Sequence, residues 1–145
     1  MIRRLAALVV VFLTSCGDDG RVKALIEAAG RGDIVQMSIL IDAGTNINGV
    51  ALEHWTPLTR AAHAGQLEAV RLLVVRGADL NRGAVTPLHW AAFRGHLRVA
   101  KFLVESGARL NLDPRGKASF VDKVRSYGEG ELMTLVNEVT AREKS

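Results

Sequence analysis

The chain has one cysteine, Cys16, so no disulfide can close within it and no thiol pair can hold a metal. Its longest apolar run, Leu5 to Leu13, is nine residues, against the roughly 20 that a bilayer-spanning helix needs. Signs of a reactive centre are also missing. The four histidines (His54, His63, His89, His96) include no pair spaced i, i+4 with a glutamate between, so zinc ligation has little support. No serine sits in a GxSxG setting, and the glycines fall at helix ends rather than in a strand-to-helix phosphate loop. Glu68, Asp79, Glu105 and Asp113 are scattered and read as solvated faces or turn caps. These gaps argue against an enzyme, a metal site or a cofactor. The charge excess is small as well: +4 in all, and only +2 if residues 1–15, which hold Arg3 and Arg4, are removed. Such a balance gives little reason to expect nucleic acid as a partner.

What the chain does have is a repeated unit. Thr86 to Asn111, TPLHWAAFRGHLRVAKFLVESGARLN, reads as helix–turn–helix. Thr86 can cap a helix, Pro87 suits the first helical position, Gly95 breaks the helix, and Gly107 suits a left-handed cap at the end of the second one. Leu88, Ala91 and Ala92 make a narrow face that lets a neighbour approach; Leu97, Ala100, Phe102, Leu103 and Val104 are the apolar set of the second helix. Two such short helices cannot bury a core alone. Thr56 to Asn81, TPLTRAAHAGQLEAVRLLVVRGADLN, repeats the pattern without a gap at an offset of 30, and Ala28-Ala29 with Ile39 to Asn48 repeats it more weakly at an offset of 33.

A period near 33 with a TPLHxAA core resembles the ankyrin repeat. The resemblance implies an all-α solenoid of about four helix–turn–helix repeats with short finger loops, over residues 21–50, 51–83, 84–114 and 115–145. The outer units should be atypical caps, because one face of each meets water. In this reading Ile34, Met37, Leu40 and Ile41 point inward, and the last repeat holds helices near Ser119–Ser126 and Glu131–Arg142, joined by a turn at Tyr127 to Gly130. The resemblance also implies structural roles for His89 and His96, bonded to turn backbone and adjacent repeats. Trp90 is expected to pack between repeats.

The N-terminus resembles a bacterial lipoprotein leader. Arg3 and Arg4 precede the apolar run, and Leu13-Thr14-Ser15-Cys16 matches a lipobox. This implies a signal peptide over 1–15, acylation of Cys16, and a short unstructured linker over 16–20 before the folded domain. The chain would then be lipid-anchored in the cell envelope. Gly17 rather than Asp after the cysteine favours the periplasmic face of the outer membrane over the inner membrane.

Ankyrin arrays bind protein partners through their fingers and first helices. Carried over by position, the candidate contacts are Arg31, Trp55, His63, Arg82, Phe93, Arg94, Arg115 and Arg125. Arginine beside aromatic residues is the usual make-up of interface hot spots, so the expectation is a concave basic face that docks an acidic protein surface. The fingers are uneven. Asn48 to Trp55 forms the first. The second, Arg82 to Val85, is shorter, with three fewer residues between Asn81 and Thr86 than between Asn48 and Thr56, and is not expected to make a full hairpin. Leu112 to Lys117 is read as the third. A non-catalytic interaction module comes first, an inhibitor or immunity-type lipoprotein that neutralises a toxic enzyme second, and an enzyme or small-molecule carrier last.

Overall fold

The computed structural model describes residues 17–83, 85–110, 114–128 and 130–145, with side chains at all of these but 114–119. Residues 1–16, including Cys16 and the lipobox, lie outside the described residues, as does the side chain of Arg115. Four helix pairs follow one another: α1 (Asp18–Arg31) with α2 (Ile34–Asp42), α3 (Pro57–Ala64) with α4 (Leu67–Val75), α5 (Pro87–Phe93) with α6 (Leu97–Glu105), and α7 (Pro114–Ser126) with α8 (Gly130–Arg142). The first helices pack side by side as one layer and the second helices as another. The architecture is the all-α solenoid of about four repeats that the resemblance implies.

Local chemistry starts each inner pair. The Thr56 hydroxyl accepts the Thr59 amide at 3.1 Å, and the Thr59 hydroxyl accepts the Thr56 amide at 2.8 Å. This reciprocal box satisfies two amides that a helix start would otherwise leave open. Thr86 accepts the His89 amide at 3.3 Å, and Pro57 and Pro87 occupy first-turn positions. Asp33 caps α2 through the Gln36 amide at 3.1 Å.

The layers close on small residues. Ala28, Ala29, Ala61, Ala62, Ala91 and Ala92 are completely buried between neighbouring first helices. A larger side chain there would push the repeats apart, at a cost of about 1–3 kcal/mol. Met37, Leu40, Val70, Leu73, Ala100 and Leu103 fill the space under the second helices, while Ile34 and Ile41 pack at its margin.

One device joins successive repeats. The side chain of Gln66 donates to the Gly30 carbonyl at 3.5 Å, His96 Nε2 donates to the His63 carbonyl at 3.0 Å, and the Tyr127 hydroxyl donates to the Phe93 carbonyl at 2.6 Å. Gly30, His63 and Phe93 are the same repeat position, the residue after the alanine pair. Because a carbonyl only accepts, His96 carries its proton on Nε2. The His96 ring lies so close to Gly65 that a Cβ there would come within 2.7 Å of it, and Gly65 has φ +71°. Both facts require glycine. A second ladder runs through the asparagines: the Asp79 amide donates to Asn48 Oδ1 at 2.8 Å and the Arg109 amide to Asn81 Oδ1 at 2.7 Å. At the C-terminal end the Leu110 amide donates instead to Glu143 Oε1 at 2.7 Å.

Two expectations are corrected. Asp18 to Gly20 is not a linker but the first turn of α1. Asp18 and Asp19 stand where carboxylates complement the positive end of the helix dipole, and Arg21 closes onto Asp18. The third finger is also shorter than read, because Pro114 to Lys117 belongs to α7. Pro114 acts there as a helix starter rather than a turn residue.

Candidate binding surface

Ring side chains gather on the first-helix side of both inner repeats. Trp55 at the base of the first finger and His63 at the end of α3 come together with their ring centroids 5.1 Å apart. On α5, His89 and Phe93 stack at 6.0 Å. Trp90 bridges the two sets, 5.1 Å from Trp55, 5.0 Å from His63 and 6.4 Å from Phe93. His89 extends the cluster to Phe120 of α7 at 4.6 Å. Phe120 is core, whereas Trp55, His63, Trp90 and Phe93 are half-buried.

Cations edge this surface. The Arg60 guanidinium lies 5.5 Å from the Trp55 ring, and the Lys123 ammonium lies 5.9 Å from Phe93 and 5.3 Å from Tyr127. These distances suit cation–π attraction of about 0.5–1 kcal/mol at partly exposed sites. Burial, and then the proximity of Arg94, Arg60 and His96, hold His63 below the ordinary histidine value of 6.5. His89 is lowered by burial. Both rings therefore favour the neutral form, while the surface keeps its permanent positive charge on Arg60, Arg94 and Lys123.

The fingers are unequal. The first is a small hairpin, with the Ala51 and Trp55 amides donating to each other's carbonyls at 3.1 and 2.9 Å. Its tip residues Leu52, Glu53 and His54 have φ +50°, +63° and +77°. Three successive non-glycine residues in the left-handed region store strain of roughly 1–2 kcal/mol each. The second finger has no backbone bridge among its described residues. Between the two lies a cleft of about 350 Å³ lined by Glu53, His54, Trp55, Thr59, Gly83, Val85 and Trp90.

Of the residues that position alone singles out, the structure brings Trp55, His63, Phe93 and Arg94 to one place. Arg31 is exposed in the last turn of α1 and Arg82 is exposed in the second finger, both outside the ring contacts. Arg125 is exposed on α7 beside Asp122 at 3.5 Å, a surface pair worth about 1 kcal/mol or less. Arg115 stands in α7 rather than in a finger. Trp90 does pack against the preceding repeat, yet it also remains part of the surface. Lys123 and Tyr127 join the surface through contacts between repeats, and Arg60 through the Trp55 ring of its own repeat, which spacing along one repeat does not reveal.

Comparison with known proteins agrees with this architecture. The sequence model of the family described as Ankyrin repeats (3 copies) matches residues 5–84 and 25–114. The 2-5A-dependent ribonuclease of Mus musculus is 40% identical over 62 residues, which is 41% of this chain and 8% of that protein. Protein phosphatase 1 regulatory subunit 12A is 42% identical over 57 residues in Mus musculus and in Rattus norvegicus, 39% of this chain and 6% of each relative. The chain thus spans less than a tenth of the length of these relatives.

Proposed function

This chain belongs to the ankyrin-repeat family, whose repeats make protein–protein interaction modules, and we propose that it is a non-catalytic, membrane-anchored module of the bacterial envelope whose first-helix face docks an acidic surface of a partner protein. One observation carries the docking face. Five of the seven aromatic residues, Trp55, Trp90, Phe93, Phe120 and Tyr127, gather around it, with Arg60, Arg94 and Lys123 at their edges. Rings supply rigid contact area at low entropic cost, and the cations favour a partner of opposite sign.

The anchoring part rests on Arg3, Arg4, the apolar run and the lipobox ending at Cys16. Helix α1 begins at Asp18, so Gly17 alone separates an acylated Cys16 from the folded repeats. A domain tethered so closely meets partners that lie at the same membrane. Gly17 after the cysteine favours the periplasmic face of the outer membrane.

Two experiments test the parts separately. Cys16→Ser releases the protein from isolated membranes; continued membrane association of that variant overturns the lipid anchor. The combined variant Arg31→Glu, Arg94→Glu, Arg125→Glu loses crosslinked partners captured from the envelope while keeping wild-type helical content. Unchanged capture overturns the basic face.

A further inference from the structure

The second finger has three fewer residues between its Asn and Thr than the first, and the consequence is a recess at the finger edge. The face of Trp55 meets Trp90 of the next repeat, with Gly83 and Val85 as the neighbouring residues of the short finger. Val85 is 38% exposed, large for a valine beside two tryptophans. The cleft holds about 350 Å³, at the lower end of ligand-site sizes and enough for one or two large side chains.

The charges around the cleft are not symmetrical. Its fingertip side carries Glu53. Beyond the lining, on the helix side, Arg60 lies 5.5 Å from the Trp55 ring, and Arg94 stands one turn after Trp90 at the end of α5. A carboxylate is repelled at the tip and attracted at the helices. An uncharged apolar group suits the space between the tryptophans.

We infer that this cleft is a socket for one extended acidic segment of a partner protein, which inserts an aromatic or aliphatic side chain between the fingers, onto Trp55 and Trp90, and places an adjacent Asp or Glu carboxylate towards Arg60 and Arg94. The inference rests on the protein-docking reading above and makes it specific: it names the segment's chemistry and its direction. The strained tip supports it, since Leu52, Glu53 and His54 are held in unfavourable backbone conformations by a bridge that fixes one wall of the cleft.

Both tryptophans of the chain stand in this cleft, so their emission reports on its occupancy. Random peptides displayed for selection on the folded chain provide the probe. The expected winners pair an apolar residue with Asp or Glu. Synthetic copies of them shift the tryptophan emission, and Val85→Glu and Arg94→Glu each weaken them by about tenfold or more with the melting temperature unchanged. Both substitutions are at exposed positions, so folding does not obscure the result. Selection of peptides without acids, or of none, overturns the inference. So do acidic peptides that ignore Val85→Glu and Arg94→Glu. If these last peptides are instead lost with Arg31→Glu and Arg125→Glu, the socket is wrong while the basic face stands.

Discussion

The two edges of the solenoid differ in kind. At the turn edge every described joint solves the same problem the same way: a side chain of one repeat donates to the carbonyl after the alanine pair of the repeat before it. Gln66, His96 and Tyr127 do this with three different chemistries. Gln66 and His96 follow their turn glycines, whereas Tyr127 precedes Gly128, so the geometry is kept although the residue and its position change. At the finger edge no two units are alike. One finger is a strained hairpin, the next is short, and beyond Asn111 a helix begins at Pro114. Stacking demands sameness because each repeat must present the same surface to the next. Recognition does not, and both tryptophans stand where the fingers depart from regularity.

The sharpest way to break this comparison is to damage the turn edge. Gly65→Ala places a Cβ against the His96 ring and a side chain on a left-handed backbone. A loss of roughly 2–4 kcal/mol is expected, read as a melting temperature lower by ~10 °C. His96→Ala leaves the His63 carbonyl without its partner and costs about 1–3 kcal/mol in chemical denaturation. Tyr127→Phe removes only the hydroxyl bond to Phe93 and costs about 1 kcal/mol. The finger edge behaves oppositely. Glu53→Gly relieves a left-handed residue and leaves stability unchanged or raised by up to about 1 kcal/mol.

Acid provides a gentler probe of the ring surface. His63 and His89 are both lowered from 6.5, so the unfolded chain binds their protons first. Their contribution is fully present above about pH 6.5 and is lost as the pH falls through their lowered values. Thermal melts between pH 7.5 and 5 check this. The decline on acidification is expected to be shallower in His63→Gln and in His89→Gln than in the parent.

Much of the helical frame is legible in the chain itself. Thr56, Thr86, the alanine pairs and Gly65, Gly95 and Gly107 follow local rules of capping and backbone freedom, so their spacing alone locates the helices. His96 is legible through the resemblance to ankyrin repeats, which implies its bond to the backbone of the adjacent repeat. What escaped the sequence lies across repeats or depends on context. Pro114 signals either a turn or a helix start, and the row of residues after it does not decide which. Asp18 and Asp19 look like a polar linker until they are seen as the acidic first turn of a helix. Trp90 sits in the most regular stretch of the chain, which suggests a purely structural role. Only the meeting of Trp90 with Trp55 and His63, from the preceding repeat, makes it part of a surface. Arg60 and Lys123 are ordinary surface residues in sequence and gain meaning from the rings beneath them.

The central claim is that partners bind along the fingers and first helices while the second-helix layer stays free. Amide hydrogen exchange of the folded chain, with and without a crosslink-identified partner, tests it most directly. The account predicts slowed exchange in the first finger around Ala51 to Trp55, in the second around Arg82 to Val85, and in α3 and α5, with α2, α4 and α6 unchanged. Protection confined to α2, α4 and α6 would contradict it.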